Sequence, residues 1–425
     1  MIHKFIYKIG IRLRSPEIPG KYMLLKESEN WSLEELEAYQ FKQLKRIIGI
    51  AYNKSIFYRN SFDNAGLTLD DIKSLDDIKK IPSISKSDLL GNTLAIQNRD
   101  GYRKVFFSET SGSTGEPLVF YRNSEWDAGH RAAQLRGYSW FDVMPWDLNG
   151  YFWGYAFSFK KKVITKIYDV LLNRFRIFSY EDAGIKHFAK RLKHATYLEG
   201  YSSMIYEVAK LINKNELGPF NLRMIKGTSE KIFDGYQEEA INAFGKKIIS
   251  EYGSAETGII AYECKEGHMH IVMENVIVEE EDGEAIITNL ISDSFPIIRY
   301  KLGDSIILDN ATVCPCGLKH KIISEVKGRV GKTIFGKKGK YPSLTLYYIF
   351  KNLAVQYNTI VNYQAIQKEK GKLEFYLDRD ISRETEVEIR KECKSYFSDD
   401  IEVSFYPNAL KRDYNEKFSD FISKI

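Results

Sequence analysis

Ser108–Pro117 reads SETSGSTGEP, and the predicted fold is organised around it. Gly112 and Gly115 stand among the hydroxyl side chains of Ser108, Ser111, Ser113 and Thr114, with Thr110 just before them. Glycine opens positive φ and lets a ligand approach the backbone closely. Successive N–H groups in such a loop form a concave anion nest, and the hydroxyls add donors around it. The flanking runs Lys104–Phe107 (KVFF) and Leu118–Tyr121 (LVFY) read as short strands. A polar, glycine-bearing loop between two strands is a cradle for phosphate oxygens; the plain alternative is a Ser/Gly-rich hairpin turn. It is not a Walker loop, because no GxxxxGK[ST] occurs.

At 425 residues the chain is long enough for two or more domains and a large core. Its 62 basic and 57 acidic residues leave a net charge of +5, too small to argue for nucleic acid. The 28 Tyr and 25 Phe are numerous enough for some to wall a ligand pocket, although most must be core. Four cysteines in this length are no disulfide framework. The opening MIHKFIYKIGIRLR is interrupted by Lys4, Lys8, Arg12 and Arg14, so it does not read as a secretory signal. It is basic and amphipathic and could touch a membrane surface, but a helix or arm packed on the body is the expectation. No run reaches the ~18 apolar residues of a membrane span. A cytoplasmic protein is expected.

Residues 32–60 read as one helix, opened by a Ser32/Glu35 capping box. With shorter pieces broken at Pro82 it makes residues 1–100 a helical preface. After the loop, helices alternate with strands at Tyr197–Glu199, Leu222–Ile225 and Lys247–Tyr252. That alternation predicts α/β layers with ligand loops at the strands' carboxyl ends. From His270 the pattern turns to β, with Ile271–Glu279 and Glu284–Leu290 flanking the hairpin signal Asp282-Gly283. The glycine-rich joint Lys327–Lys332 divides residues 1–328 from a small α+β domain, 329–425. In that domain Tyr363–Gln367 pairs with Leu373–Leu377, Ile381–Phe397 is a helix, Ile401–Phe405 is a strand, and Lys411–Ile425 is a polar tail.

SETSGSTGEP, EYGSAETG, RYKLGD and KGRVGK stand in that order, with NEKF near the C-terminus. Together they resemble the adenylate-forming superfamily. Within it the chain is similar to phenylacetate–CoA ligases and their relatives in capsular polysaccharide gene clusters. The resemblance covers nearly the whole chain and implies a large adenylation domain joined by a hinge to a small mobile domain. It implies that Ser111, Gly112, Ser113, Thr114 and Gly115 hold the phosphates of ATP. Tyr252, with Gly253 beside it, would lie against the adenine, and Gly227, Thr228, Ser229 and Glu230 would wall the nucleotide pocket. Glu256 would bind Mg²⁺, a hard cation that prefers oxygen ligands. Asp304 would accept from the ribose hydroxyls, Arg329 would sit at the hinge, and Lys417 would be the adenylation lysine. Taken singly, Glu256 reads as a helix-start acid and Asp304 as a turn acid. The chain departs from the family pattern at Val330-Gly331-Lys332, where Gly331 is the permissive hinge candidate. It departs again at Glu416, which replaces a glycine and leaves Lys411 as a second candidate lysine.

Cys264, His268, His270, Cys314, Cys316 and His320 fall in two short stretches, ECKEGHMH and CPCGLKH. Cys264, His270, Cys314 and Cys316 are the expected ligands of a structural Zn²⁺, because four protein ligands leave no open position. The alternative is reduced, buried thiols beside surface histidines. Cys393 reads as core.

These readings converge on an ATP-dependent ligase that makes an acyl-adenylate and passes the acyl group to a thiol, by resemblance CoA. The small carboxylic acid would lie near Trp153-Gly154-Tyr155 and Gly200-Tyr201. An amide-forming ligase, an enzyme that acylates a carrier protein, and a catalytically silent nucleotide-binding module are the rivals. The acid and the oligomeric state are not legible.

Overall fold

The computed structural model describes residues 2–110, 117–152, 159–177, 182–329, 333–357, 359–410 and 418–425. The preface holds α1 (Ile2–Arg14), α2 (Ile18–Glu27), α3 (Leu33–Lys54) and α4 (Ile56–Asn64). The Ser32/Glu35 capping box is formed and starts α3. The single helix expected over 32–60 is two, because Ser55 turns extended and its hydroxyl accepts from the Tyr58 N–H to cap α4. Leu44, Ile47 and Ile48 of α3 join Phe120, Ile260, Ile287 and Phe295 in one large core. The Gln40 amide crosses that core to the Val276 carbonyl.

Two short helices follow, α5 (Lys86–Gly91) and α6 (Thr93–Ile96). Beyond them β1 (Val105–Glu109) and β2 (Val119–Asn123) pair antiparallel, so SETSGSTGEP does connect two strands. The central sheet then forms from β3 (Asn149–Phe152), β4 (Arg174–Arg176), β5 (Tyr197–Tyr201), β6 (Met224–Thr228), β7 (Ile249–Ser254), β8 (Gly258–Glu263), β9 (Met269–Ile271), β10 (Val276–Glu281), β11 (Glu284–Asn289), β12 (Tyr300–Asp309) and β13 (Ile322–Arg329). Its order is β10-β11-β12-β13-β9-β8-β7-β6-β5-β3-β4. Strands β3 to β7 pair parallel with one another, β7 pairs antiparallel with β8, and the β8-to-β13 half is antiparallel throughout.

Helix α7 (Ser124–Trp140) packs Ala132, Ala133 and Tyr138 on one face of that sheet, against Tyr197, Met224 and Tyr262. Helices α8 (Phe159–Leu171), α9 (Asp182–Leu192), α10 (Ser202–Lys214) and α11 (Asp234–Phe244) complete this part of the chain. Of these, α9, α10 and α11 bury Phe188, Ile205 and Phe244 against Leu198, Ile225 and Ile248. Helix-covered parallel strands are the expected α/β layers. The strand expected over 271–279 is interrupted, and Glu274 at the break is buried with Arg136 and His320. Asp282 and Gly283 both take positive φ, 53° and 77°, as the predicted hairpin turn requires.

Beyond Arg329 the strands leave the central sheet. β14 (Thr333–Phe335) pairs with β15 (Lys340–Pro342), and α12 (Leu344–Tyr357) follows. β16 (Tyr363–Gln367), β17 (Lys372–Leu377), β18 (Glu402–Tyr406) and β19 (Phe421–Ser423) form a sheet in the order β18-β17-β16-β19, with α13 (Arg383–Phe397) packed on it. Two features differ from expectation. Helix α12 was not foreseen, because LTLYYIFKNLAVQY is apolar on most sides and shows no clean stripe. The tail is not simply polar: Phe421 is buried and β19 runs parallel to β16. Among the described residues no helix is long and apolar enough to cross a membrane.

Candidate active site and metal centre

The carboxyl ends of β6 and β7 meet β12 at a cleft of about 700 Å³, a volume suited to a small ligand. Tyr252 and Gly253 of β7, Ser229 and Glu230 after β6, Asp304 of β12 and Ile323 of β13 line it. Tyr347, Phe350, Tyr363 and Phe418 line its other side, from the C-terminal part of the chain. The Tyr252 hydroxyl donates to Asp304 at 3.0 Å, so the two residues expected at base and ribose are neighbours. Glycine is obligatory at 253, where a Cβ would stand 2.3 Å from the Gly258 carbonyl oxygen. At Gly227 it would stand 2.5 Å from the Ser202 hydroxyl.

Ser229 holds φ +66°, a conformation that costs energy outside glycine and tends to collect at functional sites. The Thr228 hydroxyl donates to Glu251 at 3.2 Å. Glu230 has two partners on opposite sides: one oxygen accepts from Ser203, the other from the Phe418 N–H at 2.7 Å.

Glu256 is buried and accepts from the Tyr300 hydroxyl at 3.3 Å. The Lys86 ammonium lies 3.6 Å from it and donates to the Thr110 hydroxyl at 3.2 Å. Thr110 in turn clasps Leu118 twice, N–H to carbonyl at 3.0 Å and hydroxyl from N–H at 2.9 Å. Lys86 therefore joins the base of the glycine-rich loop to Glu256. Sequence reading missed Lys86. Its only local signal is the Ser85/Asp88 capping box that makes it the first residue of α5, and the contact itself depends on Ile84 bridging to Tyr300.

Several expected residues lie outside the described residues: Ser111, Gly112, Ser113, Thr114 and Gly115, the 153–155 segment, Val330-Gly331-Lys332, Lys411 and Lys417. Arg329 pairs through its backbone opposite Asp304. In the described part of the joint it is Gly328 that holds a positive φ, +129°. Gly200 closes β5, where a Cβ would meet the Phe152 carbonyl oxygen at 2.2 Å.

Beneath the cleft, buried Lys226 is held between Glu199 at 3.1 Å and Glu251 at 2.8 Å. Burial favours its neutral form, but the two carboxylates outweigh burial and raise it above the ordinary lysine value. His130, stacked on Trp126, is driven down to about 3 by burial and then by Arg122, so it is neutral. Burial pushes the Glu263 carboxyl up to about 7, although it accepts from the Ser250 N–H at 2.8 Å.

Cys264 follows β8, His270 sits in β9, and Cys314 and Cys316 lie between β12 and β13. Their ligand atoms all fall within 4.8 Å of one another. The Cys264 and Cys314 sulfurs are 3.7 Å apart, and Cys316 Sγ is 3.3 Å from His270 Nε2. A disulfide needs about 2.05 Å. Tetrahedral coordination at a zinc–sulfur distance of about 2.3 Å spaces two sulfurs by about 3.8 Å. His270 Nδ1 is 3.2 Å from the His320 carbonyl, which orients Nε2 toward the thiols. His320 itself turns to Glu274 at 2.8 Å, whereas His268 Nδ1 lies 3.3 Å from Cys314 Sγ at the edge of the group. Burial lowers His270 to about 4 and raises Cys316 to about 12. The imidazole is thus held in its ligating form, and the thiols need a cation to ionise.

No protein-family model matches the chain. Protein CapK of Staphylococcus aureus is 25% identical over 371 residues, 81% of this chain and 78% of that protein. Phenylacetate-coenzyme A ligase of Escherichia coli (strain K12) is 37% identical over 95 residues, 21% of either chain. Among solved structures, 2-hydroxyisobutyryl-CoA ligase in the postadenylation state with 2-HIB-AMP superposes with a TM-score of 0.71 at 16% identity, covering 94% of this chain and 92% of that one. In an open conformation with 2-HIB-AMP and CoA the same ligase gives 0.62. The superposition over 94% of the chain shows that it has the fold of the adenylate-forming CoA ligases.

Proposed function

We propose that this chain activates a carboxylic acid with ATP and transfers the acyl group to an acceptor thiol, CoA by family resemblance. The observation that carries the reading is the Tyr252–Asp304 pair in a cleft adjoining the Thr110–Lys86–Glu256 chain. A carboxylate oxygen attacks the α-phosphorus and pyrophosphate leaves. The thiolate sulfur then attacks the acyl carbon and AMP leaves. Both partners of the first step are anions, so donors and cations must screen their approach. Ser111–Gly115 and Lys86 supply that screening at the phosphates, and Lys417 at the reacting oxygens. Tyr252 packs on the base, Asp304 accepts from the ribose, and Gly227–Glu230 wall the nucleotide.

Glu256 offers a buried oxygen ligand for Mg²⁺, which would neutralise phosphate charge. Cys264, His270, Cys314 and Cys316 suit a structural Zn²⁺, which would tie β8 and β9 to the Cys314–Cys316 loop. Residues 1–328 would form the adenylation domain and 329–425 a domain that rotates between the half-reactions. The resemblance to capsule-cluster ligases keeps an amine or a carrier-protein thiol as alternative acceptors. The departures at 330–332 and Glu416 motivate the reading of a silent binding module.

Pyrophosphate release from ATP and Mg²⁺ against a panel of carboxylic acids, with and without CoA, tests the proposal. Release should depend on particular acids. Lys417→Ala should lower it roughly a hundredfold to a thousandfold and leave ATP binding intact. Failure of the folded protein to bind ATP would overturn the reading.

A further inference from the structure

Helices α1 and α8 carry apolar surface that the fold leaves uncovered. On α1 the side chains Ile2, Phe5, Ile9 and Leu13 are exposed, Phe5 by 67% and Leu13 by 78%. At 100° per residue they fall within about 80° of one another. The opposite side of α1 is the one that packs, with Tyr7 against Trp146 and Ile11 against the Ile18–Leu135 cluster. The stripe therefore points away from the protein.

Helix α8 repeats the arrangement. Asp169 faces inward and is clamped by both nitrogens of Arg176 at 2.6 and 2.7 Å. Ile164, Ile167, Tyr168 and Val170 are exposed, Val170 by 68%. The start of α1 meets the end of α8, the His3 ring nitrogen lying 3.3 Å from the Leu171 carbonyl. Each helix thus exposes apolar side chains of the kind that mark an interaction site.

The charged residues in the sequences of the two helices are almost all basic. Lys4, Lys8 and Arg12 precede the first acid of the chain, Glu17, whereas Arg14 is already paired with Asp127 at 2.9 Å. The α8 sequence holds Lys160, Lys161, Lys162 and Lys166 against Asp169 alone, and Arg176 already neutralises that acid. Lys8 and Arg12 flank the exposed stripe of α1 on one side. Two basic amphipathic helices with outward apolar stripes fit an interface that is apolar within and anionic at its surface, which is a bilayer containing acidic lipids.

We propose that α1 and α8 form a peripheral docking surface for an anionic membrane. The helices lie in the plane of the interface, their apolar stripes enter the acyl boundary, and lysine and arginine reach the headgroups. This places the cleft, at the ends of β6, β7 and β12, on a protein held at a membrane surface.

Flotation of the full-length protein with vesicles tests the inference. One set is phosphatidylcholine alone and the other adds phosphatidylglycerol. The protein should float with the anionic set, stay behind with the neutral one, and be released by high salt. The double variant Phe5→Ser/Ile9→Ser should lose at least about tenfold of that binding while its melting temperature stays unchanged. Lys8→Glu/Arg12→Glu should weaken binding by about fivefold or more per charge. Absence of binding to the anionic vesicles would overturn the proposal. So would binding that these variants leave intact, or self-association through the patch without any vesicle binding.

Discussion

The cysteine–histidine cluster and the cleft proposed for the nucleotide occupy opposite faces of the same two strands. In β9, Met269 lines the cleft while its neighbour His270 faces the thiols. In β13, Ile323 lines the cleft while Ile322 packs with Cys264 and Cys314. Alternation along a strand makes this arrangement automatic. The contrast lies in how each side is closed. Four ligand atoms meet from two short stretches of chain in the cluster. The cleft gathers strand ends, a helix start and a segment near the C-terminus, and stays accessible. A rigid back thus supports an adaptable front.

Removing the cation proposed for the cluster is expected to have the largest effect. Chelation, or Cys316→Ala, should cost on the order of several kcal/mol in thermal unfolding and weaken ATP binding through the shared strands. An unchanged melting curve would separate the two faces and break the comparison. On the open side, Asp304→Ala removes the acceptor of the Tyr252 hydroxyl. ATP affinity by calorimetry should fall about tenfold to a hundredfold, with little change in melting temperature. A large loss of stability instead would make the pair structural.

A pH-dependent effect concerns Glu263, which lines the cleft beside Cys264. Its folded value of about 7 stands above the ordinary 4.5, because burial favours the neutral carboxyl. The stability it contributes is full below the unfolded value and is lost as pH rises through about 7. Glu263→Gln should therefore be more stable than the parent above neutrality, by up to about 3 kcal/mol, and lose that advantage in acid. Denaturant melts at several pH values check this, and a constant difference across pH would refute it.

The two faces were also unequally legible in the sequence. Cysteine and histidine are scarce, and few roles suit several of them at short spacing, so the four cluster residues could be named from ECKEGHMH and CPCGLKH alone. Tyr252, Asp304 and Glu256 were legible through motif order, not through their own chemistry. Lys86 was not, because an isolated lysine at a helix start is the commonest of surface features. Its role depends on Ile84 bridging to a strand more than two hundred residues away. The layered α/β class followed from the alternation of apolar runs. The break at Ser55 and strand β19 did not, since one depends on a single hydroxyl and the other on a three-residue partner for β16.

Glu230 gives the cleft a graded fastening. One oxygen serves Ser203, within the large sheet's own layer; the other serves Phe418, beside the segment that carries Lys417. Tyr206 reaches Asp378 at 2.6 Å as a second such link. Each is a hydrogen bond to a charged group, worth roughly 1.5–3 kcal/mol. The Tyr347 hydroxyl donating to Glu325 is a third, and together such links bias a pose by several powers of ten. Because β19 is paired with β16, residues 418–425 belong with the C-terminal sheet, and the proposed rotation would have to break these links while that sheet moves as a unit.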